Sequence, residues 1–203
     1  MNEDELLAQW IEEGDAIVRR VNAGAGAGVA RFADLASMTG LEVMQAMLRG
    51  EMPVANMAET LTFGAISVGP GTAVFQGTPE ERFLNPMGTV HGGWMSTLLD
   101  SALGSAVMTA LPPGAAYLTA SLSVNYLRPL TLGTKRVRVD AHVAGFELER
   151  NSAKAHGILY GPDGMQYATA TGQFKVIAKR RAVASSSQRK SVWNDDGKTS
   201  AAA

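Results

Sequence analysis

Residues 85–111 read NPMGTVHGGWMSTLLDSALGSAVMTAL, and the part after His-Gly-Gly has the pattern of a helix that is apolar or small on every side. A helix without a polar face cannot rest on a surface; the rest of the domain must enclose it. The same stretch isolates Asp100, its single charge. A carboxylate taken out of water without compensation costs on the order of several kcal/mol, so it pairs, shifts its pKa, or sits where solvent reaches it. Two readings stay open from this alone. Asp100 is structural, bonded to backbone N–H groups or set on a small exposed patch, or it is a carboxylate kept for chemistry.

The flanking segments supply what encloses the helix. Upstream, LTFGAISVG (61–69) and TAVFQGT (72–78) have strand character and meet at Pro70-Gly71. Downstream, after Pro112-Pro113-Gly114, YLTASLSVNY (117–126) alternates. Leu118, Ala120, Leu122, Val124 and Tyr126 face one way, and Thr119, Ser121, Ser123 and Asn125 the other. KRVRVDAHVAGFELE (135–149) alternates charge with Val and Ala, as a half-exposed strand does. SAKAHGILY and MQYATATGQFKVI flank Gly161-Pro162-Asp163-Gly164, a hairpin signal. One long buried helix interrupting about five or six strands predicts an α+β domain, with an antiparallel sheet packed around the helix.

That domain is expected over residues 58–177, behind a helical extension over 1–57. In the extension Leu7, Trp10, Ile11, Ile17, Val18 and Val21 recur at helical spacing across 3–21, until NAGAGAG interrupts. Thr39 and Glu42 form a capping box that opens a second helix over 40–49, with Gly50 as its stop. Residues 178–203 are polar, Ser-rich and without period, and read as a disordered tail.

Composition excludes several classes. Lys plus Arg is 18 against 19 Asp plus Glu, for a net charge of -1 over 203 residues. That balance offers no bulk attraction to nucleic acid or an anionic membrane. The chain has no cysteine, which rules out disulfides, thiolate metal sites and a Cys nucleophile. No run is long and apolar enough to span a bilayer, and MNEDELLAQW lacks the basic start and apolar core of a signal peptide. A cytoplasmic protein is expected, without metal or redox cofactor.

Chemistry gathers at the start of the buried helix. His91-Gly92-Gly93 places bare N–H groups at the positive end of the helix dipole, suited to an anion or a polarised carbonyl. Two glycines admit close approach to the backbone. Asn85-Pro86-Met87-Gly88 is a turn that brings an amide side chain to the same end. The plainer reading is ordinary capping, with glycines for a tight turn.

The combination Asn-x-x-Gly-x-x-His-Gly-Gly, followed by Leu-Leu-Asp ending at Asp100, resembles the hotdog-fold acyl-coenzyme A thioesterases, in particular the phenylacetate-pathway, PaaI-like type. VNYLRP (124–129) is similar to the strand that leads into the family's Arg-Pro or Ser-Pro corner. The resemblance covers roughly residues 58–177. It implies a hotdog fold, a long central helix wrapped by an antiparallel sheet. Asp100 would be the catalytic carboxylate, as nucleophile or as general base on water. The Gly92 and Gly93 backbone would stabilise the oxyanion, Asn85 would hold the carbonyl or the water, and His91 would orient the thioester. Thr119 matches a position where relatives carry a water-positioning Ser or Thr. Arg128, Arg150 and Lys154 are candidates for the phosphates of coenzyme A, which is part of the substrate. Trp94, where many relatives have a smaller aliphatic residue, either narrows an acyl pocket or is core. Gly104 stands where one branch of the family carries a hydroxyl residue, which favours the branch with its hydroxyl at Thr119. His142 and His156 read as ordinary strand residues.

The expected activity is hydrolysis of an acyl- or aryl-acyl-coenzyme A to the acid and free coenzyme A. The alternatives are a hotdog hydratase or dehydratase and a non-catalytic acyl-coenzyme A binding scaffold. Geometry adds a partner. Gly92 to Asp100 is eight residues, or about 12 Å of helix at 1.5 Å each, too far for one carbonyl to touch both within one chain. Two such helices antiparallel across a two-fold axis close the gap, which predicts a homodimer with composite sites. The resemblance implies the same, with dimers often doubled to tetramers.

Overall fold

The structure is a computed structural model that describes residues 2–147 and 150–177; the tail expected over 178–203 lies outside them. Six strands form one sheet: β1 (Phe63–Gly69), β2 (Thr72–Gly77), β3 (Ala116–Tyr126), β4 (Val137–Glu147), β5 (Ser152–Tyr160) and β6 (Gln166–Ile177). The order is β1-β2-β4-β5-β6-β3, and every neighbouring pair is antiparallel. Four helices precede the sheet, α1 (Glu3–Ala23), α2 (Phe32–Leu35), α3 (Gly40–Leu48) and α4 (Asn56–Thr60), the last crossing the boundary expected at residue 58, and the buried helix is α5 (Gly92–Thr109). Four and five residues are too few to show a period, which is why α2 and α4 have no signature in the sequence.

The sheet wraps around α5, which packs against all six strands. Leu98, Leu99, Ala102, Leu103, Ala106 and Val107 are each 0% exposed. Close approach comes from strand glycines that face the helix. A Cβ on Gly157 would lie 2.5 Å from Leu103, one on Gly172 would lie 3.1 Å from it, and one on Gly77 would lie 2.7 Å from Trp94.

Strand β3 departs from the simple alternation. Its register with β6 shifts between Thr119 and Ser121, a bulge that takes Ala120 out of step. Before the bulge Tyr117 packs edge-on against Phe174, at 5.5 Å, and Leu118 points away, 59% exposed. After it Leu122 and Val124 pack on the core. One extra residue therefore moves Thr119 from the expected outer face onto the helix side.

Helix α1 covers the outer face of the sheet. It starts from a capping box between Asn2 and Glu5. Trp10 is 3% exposed, meets Tyr160 edge-on at 5.6 Å, and carries the Arg138 guanidinium 4.5 Å above its ring. Arg138 pairs with Glu13, and Gln76 Nε2 donates to the Trp10 carbonyl at 2.9 Å. Gly14 is bare because the Gln76 side chain fills the place of its Cβ. The docked stripe centres on Trp10 and Val21; Val18, about 80° around the helix from Trp10, is exposed. Helix α3 forms with the expected Thr39–Glu42 capping box and packs across α5, its Gly40 N–H donating to the Leu111 carbonyl at 3.0 Å. Among the described residues no helix is long and apolar enough to cross a membrane.

Trp10→Ala removes the anchor of α1. It should cost about 3–5 kcal/mol, the usual loss for truncating a buried aromatic. Amide exchange should quicken first across Glu3–Ala23 while β4 and β5 stay protected. Uniform loss of protection would show that α1 is part of the central folding unit.

Candidate active site

The loop ahead of α5 is built by Asn85. Its side-chain oxygen accepts from the N–H groups of Met87 (2.9 Å) and Thr89 (3.3 Å), and its Nδ2 donates to Thr89 Oγ1 at 2.7 Å. Asn85 thus shapes the turn that delivers the chain to His91. The His91 N–H donates to the Phe83 carbonyl at 2.8 Å, which sets the entry of the helix.

His91 is the N-cap, and its Nδ1 accepts from the Gly93 N–H at 2.9 Å. An accepting Nδ1 assigns the proton of a neutral ring to Nε2. The cap also engages one of the two N–H groups expected to face an oxyanion. The Gly92 N–H has no hydrogen-bond partner among the described residues. The space over Gly92 is taken by Tyr126: a Cβ there would lie 3.1 Å from the phenol ring, and the Tyr126 hydroxyl donates to the Gly92 carbonyl at 3.0 Å and meets Ser96 Oγ at 2.6 Å. The two glycines are therefore used first for packing within the chain.

Two turns further on, Asp100 is half-buried and accepts one hydrogen bond, from Thr119 Oγ1 at 3.1 Å. Burial pushes its carboxyl above the ordinary aspartate value, and the Thr119 bond opposes that rise only in part. The bulge at Ala120 is what puts the threonine here. Tyr117, two residues earlier on the same side of β3, has its ring against the bare Gly104, one turn after Asp100. Burial and then the Asp100 charge push the Tyr117 phenol up to about 12, so it stays protonated across the neutral range.

The other expected residues separate. Trp94 is core, stacked on Phe83 at 5.8 Å with its Nε1–H on the Leu61 carbonyl at 2.8 Å. Arg128 donates to the Gln166 carbonyl at 2.7 Å, at the end of β3 that carries Tyr126. Arg150 lies at the opposite end of the sheet, beyond Ser152, 3.4 Å from Glu147. Lys154 is exposed, paired with Gly145 and Gln173 across β5. One chain does not gather these three cations. His142 and His156 sit opposite each other on β4 and β5, with His156 Nδ1 2.9 Å from Thr171 Oγ1. Tyr117 and Tyr126 are the site residues that sequence reasoning passed over. Gly104, a bare position one turn after the carboxylate, is the signal that a large side chain leans there.

Comparison with known proteins falls on this region. The model of the thioesterase superfamily matches residues 87–168. Acyl-coenzyme A thioesterase 13 of Homo sapiens is 31% identical over 78 residues, 38% of this chain and 54% of its own, so the chain spans about half the length of the curated relatives it matches. A phenylacetic acid degradation-related protein from Ralstonia eutropha is 32% identical, with 65% of this chain and 98% of that one covered at a TM-score of 0.59. A mutant form of the phenylacetic acid degradation protein PaaI from Thermus thermophilus is 28% identical, with 59% of this chain and 96% of that one covered at a TM-score of 0.52. With the motif around Asp100 in place and a relative matched along nearly its whole length, the chain belongs to the thioesterase superfamily, among its hotdog-fold, PaaI-like members.

Proposed function

We propose that the protein hydrolyses acyl-coenzyme A thioesters, with Asp100 as the catalytic carboxylate. The observation that carries this reading is Asp100 itself: a half-buried carboxylate on an otherwise apolar helix, held by a single threonine hydroxyl. A structural aspartate would be saturated with donors. This one keeps most of its acceptor capacity for a water or a carbonyl carbon.

Two routes balance. In one, Asp100 takes a proton from water, the hydroxide adds to the thioester carbon, and the oxyanion collapses with loss of the coenzyme A thiolate, which recovers the proton. In the other, the carboxylate attacks directly, expels the thiolate and leaves a mixed anhydride for water to open. Both need donors for the oxyanion, each typically worth a factor of about 10²–10³. The Gly92 N–H is available, and the His91 Nε2–H is exposed on the same helix end; the Gly93 N–H joins them when the His91 ring turns away.

These donors sit at the N-terminal end of the helix and Asp100 near its middle, about 12 Å along the axis. A homodimer with antiparallel α5 helices brings each Asp100 to the partner's donors. Strand β3 supports this assembly. It is an edge strand of 11 residues, with Leu118 and Tyr126 59% and 51% exposed. Long edges of that kind are normally paired or blocked. A dimer through β3 would also bring cations from two chains around one coenzyme A, which suits Arg128, Arg150 and Lys154 better than one chain does.

Asp100→Asn keeps the shape and should lower kcat by several orders of magnitude in a thiol-release assay. Because burial raises this carboxyl, the stability it lends is present below the unfolded value and lost as pH rises through the folded one. Asp100→Asn should then melt at the same temperature as the parent or higher at pH 7, with the difference vanishing in acid. In the parent, the acid limb of kcat/KM should lie above the ordinary aspartate range. A variant that melts early yet turns over normally would make Asp100 structural.

Co-expression tests the composite site. Asp100→Ala and Asn85→Ala are each expected to be nearly inactive. In mixed dimers one site carries both lesions and the other neither, so random pairing should restore about a quarter of parental activity. A mixture in which mixed dimers form and activity stays absent would place each site within one chain.

A further inference from the structure

A cavity of about 640 Å³ runs through the chain from α5 to the helical extension. On the α5 side its wall is Ser101, the neighbour of Asp100, and the Tyr117 phenol, while Met108, two turns further along α5, packs against α3. On the other side the cavity is roofed by Met44 and Met47 of α3 and by Ile17 of α1. The walls are mostly apolar. The cation at the border, Arg136, stands 3.7 Å from Asp15, which matches its charge. The roof lies outside residues 87–168, the part matched by the thioesterase family model. The cavity therefore joins the region matched by the family model to helices α1 and α3 that precede it.

We propose, resting on the thioesterase reading, that this cavity receives the acyl chain and that the substrate class is a linear, uncharged aliphatic acyl group of medium to long chain. Three features carry the assignment. The cavity borders the surroundings of the candidate carboxylate: Ser101 follows Asp100, and Tyr117, which lines the cavity, leans on Gly104 one turn later. The volume holds about twenty water-sized groups at roughly 30 Å³ each, so a compact aryl-acetyl group would leave more than half of it unfilled. The lining includes Met44, Met47 and Met108, flexible thioethers that conform to a chain of variable length, and Arg136 is already paired rather than free for an anionic chain end.

A thiol-release panel on the full-length protein tests this. For butanoyl-, octanoyl-, dodecanoyl- and phenylacetyl-coenzyme A, kcat/KM should rise on the order of tenfold for each added pair of methylenes from butanoyl to octanoyl, and phenylacetyl should fall below octanoyl. Met47→Trp fills the cavity from α3. It should leave butanoyl-coenzyme A within twofold and lower dodecanoyl-coenzyme A at least tenfold. Ile17→Trp fills it from α1 and should do the same, so a folding failure in one variant leaves the other to decide. Binding is read separately: dodecanoate should raise the melting temperature of the parent and not of a folded Trp variant. A protein that hydrolyses all chains alike, with or without the tryptophan, overturns the pocket and leaves the thioesterase reading standing. A protein that releases no thiol yet binds dodecanoate in a tryptophan-sensitive way keeps the pocket and overturns the thioesterase reading. Dodecanoate binding that both folded tryptophan variants retain overturns the pocket, whatever the turnover.

Discussion

Everything in this molecule is arranged by the need to bury α5. A helix of 18 residues with six positions wholly out of solvent cannot be stabilised by one neighbouring face. The sheet answers by curling until all six strands touch it, and α3 closes a further side. The strip that remains, from Gly93 through Asp100 to Gly104, is the part of the helix that no strand can cover without a side chain being removed or a register being shifted. Both happen there. Gly104 gives up its side chain to Tyr117, and Ala120 steps out of the ladder to Thr119's benefit.

The carboxylate and its setting are therefore products of packing and not additions to it. Asp100 is held by a threonine whose direction depends on a strand bulge. The candidate oxyanion donors lie eight residues back along the helix, about 12 Å at 1.5 Å per residue, and depend on a different set of contacts. Burial raises the Asp100 carboxyl, and its charge in turn helps keep Tyr117 protonated. At the other end, Asn85, His91 and Tyr126 spend much of their hydrogen-bonding capacity on forming the helix start. Capping and function compete for the same groups, and the donors left over are few and well defined.

The sequence made the central helix, the strands and both long helices of the extension legible, because each has a period or a punctuation mark of its own: the capping box at Thr39 and Glu42, Pro70-Gly71, Gly161-Pro162-Asp163-Gly164. Asp100 was legible as a lone charge in an apolar run. Two kinds of information were not. The direction of Thr119 was hidden because a bulge leaves the residue pattern intact while reversing every side chain before it, and Leu118 shows the reversal by pointing outward. The docking of α1 on the outer face was hidden because its partners, Gln76, Arg138 and Tyr160, are polar or amphipathic residues on three different strands, and the one holding Arg138 reads as half-exposed. Long-range pairing is not written in local periodicity. The same holds for Trp94, whose role as core depends on Phe83 and the Leu61 carbonyl.

The cavity and the carboxylate share one wall, and this couples their chemistry. Burial raises the Asp100 carboxyl, and the Thr119 hydrogen bond opposes that rise. An aliphatic chain drawn in past Ser101 and Tyr117 displaces water from that side, while Thr119 goes on donating from the other. Loss of water makes a carboxylate a stronger base, and it does so only while a chain occupies the cavity. In a site of this construction, binding energy from the far end of the substrate, under Met44 and Met47, is converted into reactivity at the near end. An extension that does no chemistry can then raise kcat as well as lower KM, since its contacts are made by the part of the substrate that does not react.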